Sequence, residues 1–202
     1  MLKLIKVKNN SILSCSFKMD MVTNAIKGKE VKVALVLNQK FNLDLKKALF
    51  DAIVNNEELA MTLIDASKSL NLPLSEPNEH NLTPLLWACG LGKPRIAEAI
   101  LTQANEQNIA IDNEDSNARD EFGRTPYLWA CKNGWTTTVA KMIESKCYLF
   151  SSNSKDKREM TGFILACKEK HLGVIDLLMS EEVDLQAKDY YGRSGFDYLS
   201  PR

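Results

Sequence analysis

The fold is decided by a stretch of twelve residues, Asp120-Glu121-Phe122-Gly123-Arg124-Thr125-Pro126-Tyr127-Leu128-Trp129-Ala130-Cys131. Thr125 suits the N-cap of a helix, where its hydroxyl accepts a backbone N–H, and proline is tolerated at the first helical position. The residues that follow predict a short helix with one apolar face. Ala130 and Cys131 are small, so a neighbouring helix can approach closely at this point.

The same arrangement recurs at Thr83, Thr161 and Ser194, so the four starts are 42, 36 and 33 residues apart. A break follows each of the first three copies, and a second helix with apolar residues at i, i+3 and i+4 follows the break. The breaks lie at Gly92, Gly134 and Lys170. Two weaker copies occur upstream, around Ala25 and Ala52. A helix pair that recurs at a nearly fixed interval predicts a repeat architecture.

These segments resemble ankyrin repeats, which are units of about 33 residues with a Thr-Pro-Leu-His-x-Ala signature. Residues 120–126 match that family's Asp-x-x-Gly-x-Thr-Pro hairpin at every fixed position, and residues 183–194 resemble its hairpin loop. The signature His is replaced in each copy, by Leu86, Leu128, Ile164 and Asp197. The resemblance covers roughly residues 19–199 and implies an all-α ankyrin-repeat solenoid of about five helix-turn-helix repeats with hairpin loops.

The repeats predict the organisation of the chain. We expect them at about 19–43, 44–77, 78–119, 120–155 and 156–188, with a partial repeat at 189–202. Residues 1–18 favour two structures equally: a cap on the first repeat, or a β-hairpin of Leu2–Lys8 and Ser11–Phe17 turning at Asn9-Asn10. The loops 107–124 and 147–160 are long, and such insertions on a solenoid often mark its binding face. The sequence stops within a repeat, at Arg202, although a solenoid needs a polar cap at each end. A single short helix is the cap, a partner covers this end, or the sequence is truncated.

Charge and cysteine usage narrow the class of protein. The 26 basic and 26 acidic residues cancel, so no global field favours nucleic acid or an anionic membrane. Residues 1–50 hold ten lysines against three acids, and residues 51–118 hold three basic residues against eleven acids. This asymmetry predicts either solvated helix faces or a fold with a basic end and an acidic middle. Five cysteines without a CxxC motif favour a reducing compartment. The chain has neither a membrane-span run nor a signal pattern, so we predict a cytoplasmic protein.

No catalytic motif occurs in the sequence, whether HExxH, GxSxG, P-loop or GxGxxG. His80 is expected in an exposed loop and His171 at the start of a second helix. Cys89, Cys131 and Cys167 occupy equivalent places and therefore stack about 10 Å apart, too far to share a zinc ion. They are predicted to fill small buried positions. We predict no enzyme activity, no cofactor and no metal.

The sequence leaves the role of three tryptophans, core packing or surface contact, open. Trp87 and Trp129 recur beside the repeated alanines, which favours a core layer between helices and leaves a ligand-stacking platform as the sharper interpretation. Trp135 begins a second helix and is expected to be partly exposed.

The family resemblance also implies a binding surface made of hairpin tips and first-helix faces. The family's variable positions are the two residues after the hairpin Asp, the residue before Thr and the two residues before the break. With Trp135 they give these candidate partner-binding residues: Glu79, His80, Leu82, Gly90, Leu91, Glu121, Phe122, Arg124, Lys132, Asn133, Lys157, Arg158, Met160, Lys168, Glu169, Tyr190, Tyr191 and Arg193. Phe122, Tyr190 and Tyr191 lead this set, because exposed aromatic rings are costly without a partner; the alternative is that they cover an adjacent hairpin.

The resemblance therefore implies a protein-binding module, monomeric when free, whose partner is a protein. Abundant Lys and Asn with little Arg indicate an AT-rich genome, and similar short proteins include effectors that intracellular bacteria deliver into host cytoplasm. An inhibitor or regulatory subunit of an enzyme is an alternative, as is an enzyme with chemistry in residues 1–18 or the long loops. Nucleic acid is not expected, because the basic N-terminal segment lacks Arg and interleaved aromatic residues.

Overall fold

Capping residues begin the helices that the sequence predicts. The computed structural model describes residues 14–28, 31–111, 119–145, 151 and 153–200. Thr83, Thr125 and Thr161 each accept the backbone N–H three residues on, at 3.2–3.3 Å. Ser194 forms a reciprocal capping box with Asp197. The predicted N-caps are thus confirmed, and they make the four copies of the motif start in the same way.

Within the described residues the chain forms twelve helices, together with an isolated bridge between Lys155 and Thr161. The helices are α1 Cys15–Lys27, α2 Val31–Phe41, α3 Leu45–Asn55, α4 Glu57–Asp65, α5 Ser67–Leu70, α6 Pro84–Gly90, α7 Pro94–Gln107, α8 Pro126–Lys132, α9 Thr136–Glu144, α10 Gly162–Glu169, α11 Leu172–Met179 and α12 Gly195–Leu199. None of them has the length and apolar character needed to cross a membrane.

The helices pack as two layers. The first helices α3, α6, α8, α10 and α12 contact one another in series, and the second helices α4, α7, α9 and α11 form a parallel series. Leu85, Leu128 and Ile164 of the first layer and Val139 and Ile175 of the second are buried between them. This arrangement confirms the predicted all-α solenoid of helix pairs, in which each repeat packs mainly on its neighbours.

The first helix pair departs from this series. α1 packs on α4, and α2 packs on the short helix α5, so α1 does not extend the row of first helices. Only residues 42–44 separate α2 from α3, which leaves no room for the hairpin that joins the later repeats. Without that hairpin the pair is not held in the register of its neighbours.

The end of the predicted N-terminal hairpin is a helix in the structure. Ser14 caps α1, which begins at Cys15, so Cys15–Phe17 is helical and that part of the hairpin prediction is wrong. The Ser14 side chain accepts the Phe17 N–H at 3.2 Å, and this local bond favours helix over strand. The rest of the predicted hairpin, residues 1–13, lies outside the described residues.

Candidate partner-binding surface

An acid or amide side chain shapes each of the four described hairpins. Asp120 Oδ1 accepts the backbone N–H groups of Phe122 at 2.9 Å and Arg124 at 2.8 Å. The same two bonds form at Asn78, Asp156 and Asp189. Between them the chain turns through a left-handed residue, Gly123 at φ 75° in this hairpin. These bonds hold the turn closed, so the two residues after each acid lie at its tip.

Backbone hydrogen bonds join the last three tips to one another. The Lys157 N–H donates to the Phe122 carbonyl, and the Tyr190 N–H donates to the Arg158 carbonyl, both at 3.0 Å. Arg119 adds a bridge, because its guanidinium donates to carbonyls of two successive hairpins, at 2.7 and 2.9 Å. We refer to the six side chains at these tips as the tip row: Glu121, Phe122, Lys157, Arg158, Tyr190 and Tyr191. Their backbone is fixed before any partner arrives.

An arginine lies between two aromatic rings in the first of these hairpins. The Arg124 guanidinium carbon is 4.8 Å from the centroids of both Phe122 and Trp129. Its Nε lies 3.8 Å from the buried Asp156 carboxylate of the next hairpin. Arg124 is therefore engaged inside the repeat stack, where it supports the outward ring of Phe122.

The last hairpin also holds an arginine between two aromatic rings. Arg193 lies 4.8 Å from the Tyr191 ring and 4.5 Å from the Tyr198 ring, and it donates to Asp189 Oδ2. Burial acts to raise the pKa of Asp189, but hydrogen bonds from Tyr198, Arg193 and the Tyr191 backbone outweigh it and lower that pKa. Burial, together with the bond to Asp189, raises the pKa of Tyr198 to about 12. Both groups therefore keep their ordinary charge states near neutral pH.

The exposure of the candidate residues follows the repeat geometry. Tyr190 and Tyr191 are 75% and 71% exposed, and Phe122 is 49% exposed. The other exposed candidates are Glu79, His80, Gly90, Leu91, Glu121, Lys157, Arg158, Lys168 and Glu169. The partly buried ones are Leu82, Arg124, Lys132, Asn133, Trp135 and Arg193. The tip row thus holds the most exposed aromatic side chains of this set.

Met160 is a correction to the predicted surface. Its side chain is only 2% exposed, so its assignment as a partner-binding surface residue is wrong. Met160 occupies the position that Arg124 and Arg193 hold in their own hairpins. The carboxylate beside it, Asp156, already pairs with Arg124 of the preceding hairpin, so this position needs no cation and an apolar side chain gains by turning inward.

A groove that the motifs did not indicate continues the surface towards the N-terminus. Lys46, Lys47 and Asp51 of α3 line it opposite Trp87 and His80, with a volume of about 390 Å³. Trp87 and Trp129 are both partly buried against the core, as the core-layer interpretation expects, and the ligand-stacking interpretation stays a prediction. Helix α3 was missed as a surface element because it lacks a Thr-Pro start.

His171 connects two repeats. It precedes α11 at the predicted helix start, and its Nε2 donates to the Lys132 carbonyl of the preceding repeat at 2.9 Å. The ring packs over Gly134, which has φ 73°, and a β-carbon there would lie 2.5 Å from the imidazole. The glycine break and the histidine are therefore one structural unit.

The three repeated cysteines are buried and form no disulfide bond. Burial raises the pKa of Cys131 to about 12 and that of Cys167 to about 11. No group of three or more His, Cys, Asp or Glu side chains with metal-site geometry occurs in the part of the chain that the structure describes.

We expect Cys131 and Cys167 to resist alkylation in the native protein. The thiolate is the reacting species, and a raised pKa keeps both thiols protonated at neutral pH, while burial blocks the reagent. Iodoacetamide labelling at pH 7.5, read by peptide mass spectrometry, should modify them only after denaturant is added. A Thr137→Cys variant, at an exposed position of α9, supplies the reactive reference. Native labelling of Cys131 as fast as this reference would contradict the buried column.

Comparison with known proteins finds similarity in the region of the predicted repeats. Residues 107–189 match the family model described as ankyrin repeats in three copies. Palmitoyltransferase AKR1 of Lachancea kluyveri is 23% identical over 125 residues, which are 62% of this chain and 16% of that protein. The chain thus spans less than a fifth of that relative's length.

Proposed function

We propose that the chain, whose residues 107–189 match ankyrin repeats, is a protein-interaction module that binds a partner protein through the tip row and the adjoining first helices, without catalysis. The observation that carries this proposal is the fixed, exposed row of aromatic side chains on hydrogen-bonded hairpins. Tyr and Arg are enriched at binding hot spots. A backbone that is already ordered loses little entropy on binding, so such a row is suited to recognition.

Three narrower functions are alternatives to a passive scaffold: an inhibitor or regulatory subunit, an effector delivered into a host cell, and an enzyme. A bound partner whose activity changes in proportion to added protein would favour an inhibitor or regulatory subunit over a passive scaffold. Delivery into a host cytoplasm would be supported by a partner from host cells that is absent from the source cells. A catalytic role requires an activity that is lost when a loop side chain is changed.

Site-specific photocrosslinking tests the proposed face. A benzophenone amino acid placed at Tyr190 should give a discrete adduct in lysates of the source organism or of candidate hosts. The same amino acid at Asp176, an exposed position of α11 in the second layer, is the matched control. Adducts at Asp176 and none at Tyr190 would move the interface to the opposite side.

We expect Phe122→Ala with Tyr191→Ala to abolish formation of that adduct and leave the fold intact. Both rings are largely exposed and are held by cation–π contacts worth about 0.5–1 kcal/mol each at exposed sites. The unfolding temperature should therefore fall by only about 2–8 °C. A much larger fall would mean that the rings are core residues, and an unchanged adduct would place the interface elsewhere.

A further inference from the structure

The fold sorts the charges of the second half of the chain onto opposite sides. Residues 119–202 hold 13 basic and 12 acidic side chains, yet three of the acids, Asp120, Asp156 and Asp189, are turned into their own hairpins. Others lie on or after the second helices, at Glu144, Asp176, Glu181 and Glu182. The tips and first helices carry the cations Lys132, Lys157, Arg158, Lys168, Lys188 and Arg193. On the same side lie the exposed acids Glu121, Glu159, Glu169 and Asp197, which these six cations outnumber, so this side is weakly basic although the half is nearly neutral.

Two of these cations are unneutralised at the centre of the tip row. Lys157 and Arg158 are exposed and form no ion pair with any residue that the structure describes. Two nearby cations are neutralised by ion pairs: Lys155 pairs with Glu159 at 3.0 Å, and Arg193 pairs with Asp189 at 3.1 Å. The backbone bonds of these two residues place them between the outward rings of Phe122 and Tyr190.

From this arrangement we infer that the partner presents an acidic polypeptide segment, whose carboxylates lie on Lys157 and Arg158 and whose flanking apolar side chains lie on Phe122 and Tyr190. The inference rests on the proposed function and adds the chemistry of the partner to it. Unneutralised cations between apolar anchors complement such a segment in both charge and polarity. With repeats about 10 Å apart and about 3.3 Å per extended residue, six to eight residues span the three hairpins.

A polypeptide fits this row better than a nucleic acid. Phosphate backbones favour an uninterrupted basic track, whereas Glu121 and Glu159 interrupt the tips and Glu169 interrupts the adjoining helix. The Arg193 guanidinium donates to Asp189, and the partly buried Arg124 guanidinium lies between the Phe122 and Trp129 rings, so neither is an exposed fork for a phosphate.

Selection from a phage library of random dodecapeptides tests the inference on the full chain. The wild-type protein should enrich peptides with clustered Asp and Glu flanked by aromatic or aliphatic residues. A Lys157→Glu/Arg158→Glu variant should bind a selected peptide at least about tenfold more weakly and should itself enrich basic peptides. A Lys68→Glu/Arg95→Glu variant makes the same charge change at exposed positions on α5 and α7 and should bind as the wild type does.

The outcomes separate the two proposals. Enrichment of peptides without acidic residues, or equal binding by the tip-row variant when its melting curve matches the wild type, overturns the acidic partner and leaves the binding module standing. Tighter binding of a single-stranded dT oligonucleotide than of the selected peptides, lost in the tip-row variant, also overturns it in favour of nucleic acid. Enrichment of no peptide, with no photocrosslinked adduct at Tyr190, overturns both proposals.

Discussion

Replacing Gly162 by alanine should lower the unfolding temperature, although alanine is the better helix former. A β-carbon at Gly162 would lie 2.6–2.7 Å from Oη, Cε1 and Cζ of the Tyr127 side chain in the preceding repeat. Tyr127 is 1% exposed, so its ring can shift only by displacing neighbouring core side chains. Overpacking of this kind costs about 1–3 kcal/mol, and at about 2–4 °C per kcal/mol the midpoint should fall by roughly 2–12 °C. Circular dichroism melting measures the change.

A double-mutant cycle identifies the cause of that loss. Leu85 and Pro126 occupy the positions equivalent to Tyr127 and Gly162 one repeat earlier, which shows that a smaller first residue tolerates a larger second one. Gly162→Ala should therefore cost little in a Tyr127→Leu background, giving a coupling energy of about 1 kcal/mol or more. Tyr127→Phe is the matched control, because it removes the hydroxyl and retains the two ring carbons 2.7 Å away. Equal costs in the Tyr127→Leu and wild-type backgrounds would assign the loss to another contact.

The starts of the later repeats were predictable from the sequence because their determinants are local. Thr83, Thr125, Thr161 and Ser194 cap helices through bonds that span three residues, and such bonds are visible in a short motif. The breaks were equally visible. Even the lysine at the third break adopts the left-handed conformation, at φ 60°, that the glycines hold at the other two.

What could not be predicted depends on contacts between repeats. The burial of Met160 follows from Arg124 of the preceding hairpin taking the Asp156 carboxylate, and residues 36 positions apart carry no common motif. The glycines at positions 162 and 195 are explained only by the Tyr127 and Phe163 rings stacked against them. The position of α1 on α4 was hidden for the same reason, since no hairpin motif fixes its register.

An unsatisfied indole N–H gives the second large prediction. In the hairpin of Asp120, Oδ1 accepts two backbone N–H groups and Oδ2 accepts the Trp129 Nε1–H at 2.9 Å. Asn78 and Trp87 hold the equivalent positions one repeat earlier, also nine residues apart. The Asn78 Oδ1 must face the backbone donors, so the other end of its side chain is an NH₂ group. A donor there cannot serve Trp87, whose Nε1 is buried without an acceptor among the described residues.

Reciprocal substitutions should therefore have opposite effects. Asn78→Asp supplies the missing acceptor and should raise the free energy of unfolding by about 1–2 kcal/mol, whereas Asp120→Asn leaves the Trp129 N–H unsatisfied and should lower it by about 1–3 kcal/mol. Denaturant unfolding followed by tryptophan fluorescence measures both changes.

Asn78→Asp also adds a negative charge beside Glu79. Measuring the substitution in a Trp87→Phe variant separates the effect of this charge on stability from that of the new hydrogen bond. In Trp87→Phe the indole donor is absent, so Asn78→Asp should retain its charge effect and lose its gain in stability. Trp87→Phe alone should cost less than Trp129→Phe, because it removes an N–H that has no acceptor, whereas Trp129→Phe leaves Asp120 Oδ2 without its donor. A gain of the same size in both backgrounds would assign the stabilisation to charge, and the mismatch at Asn78 would then have no energetic consequence.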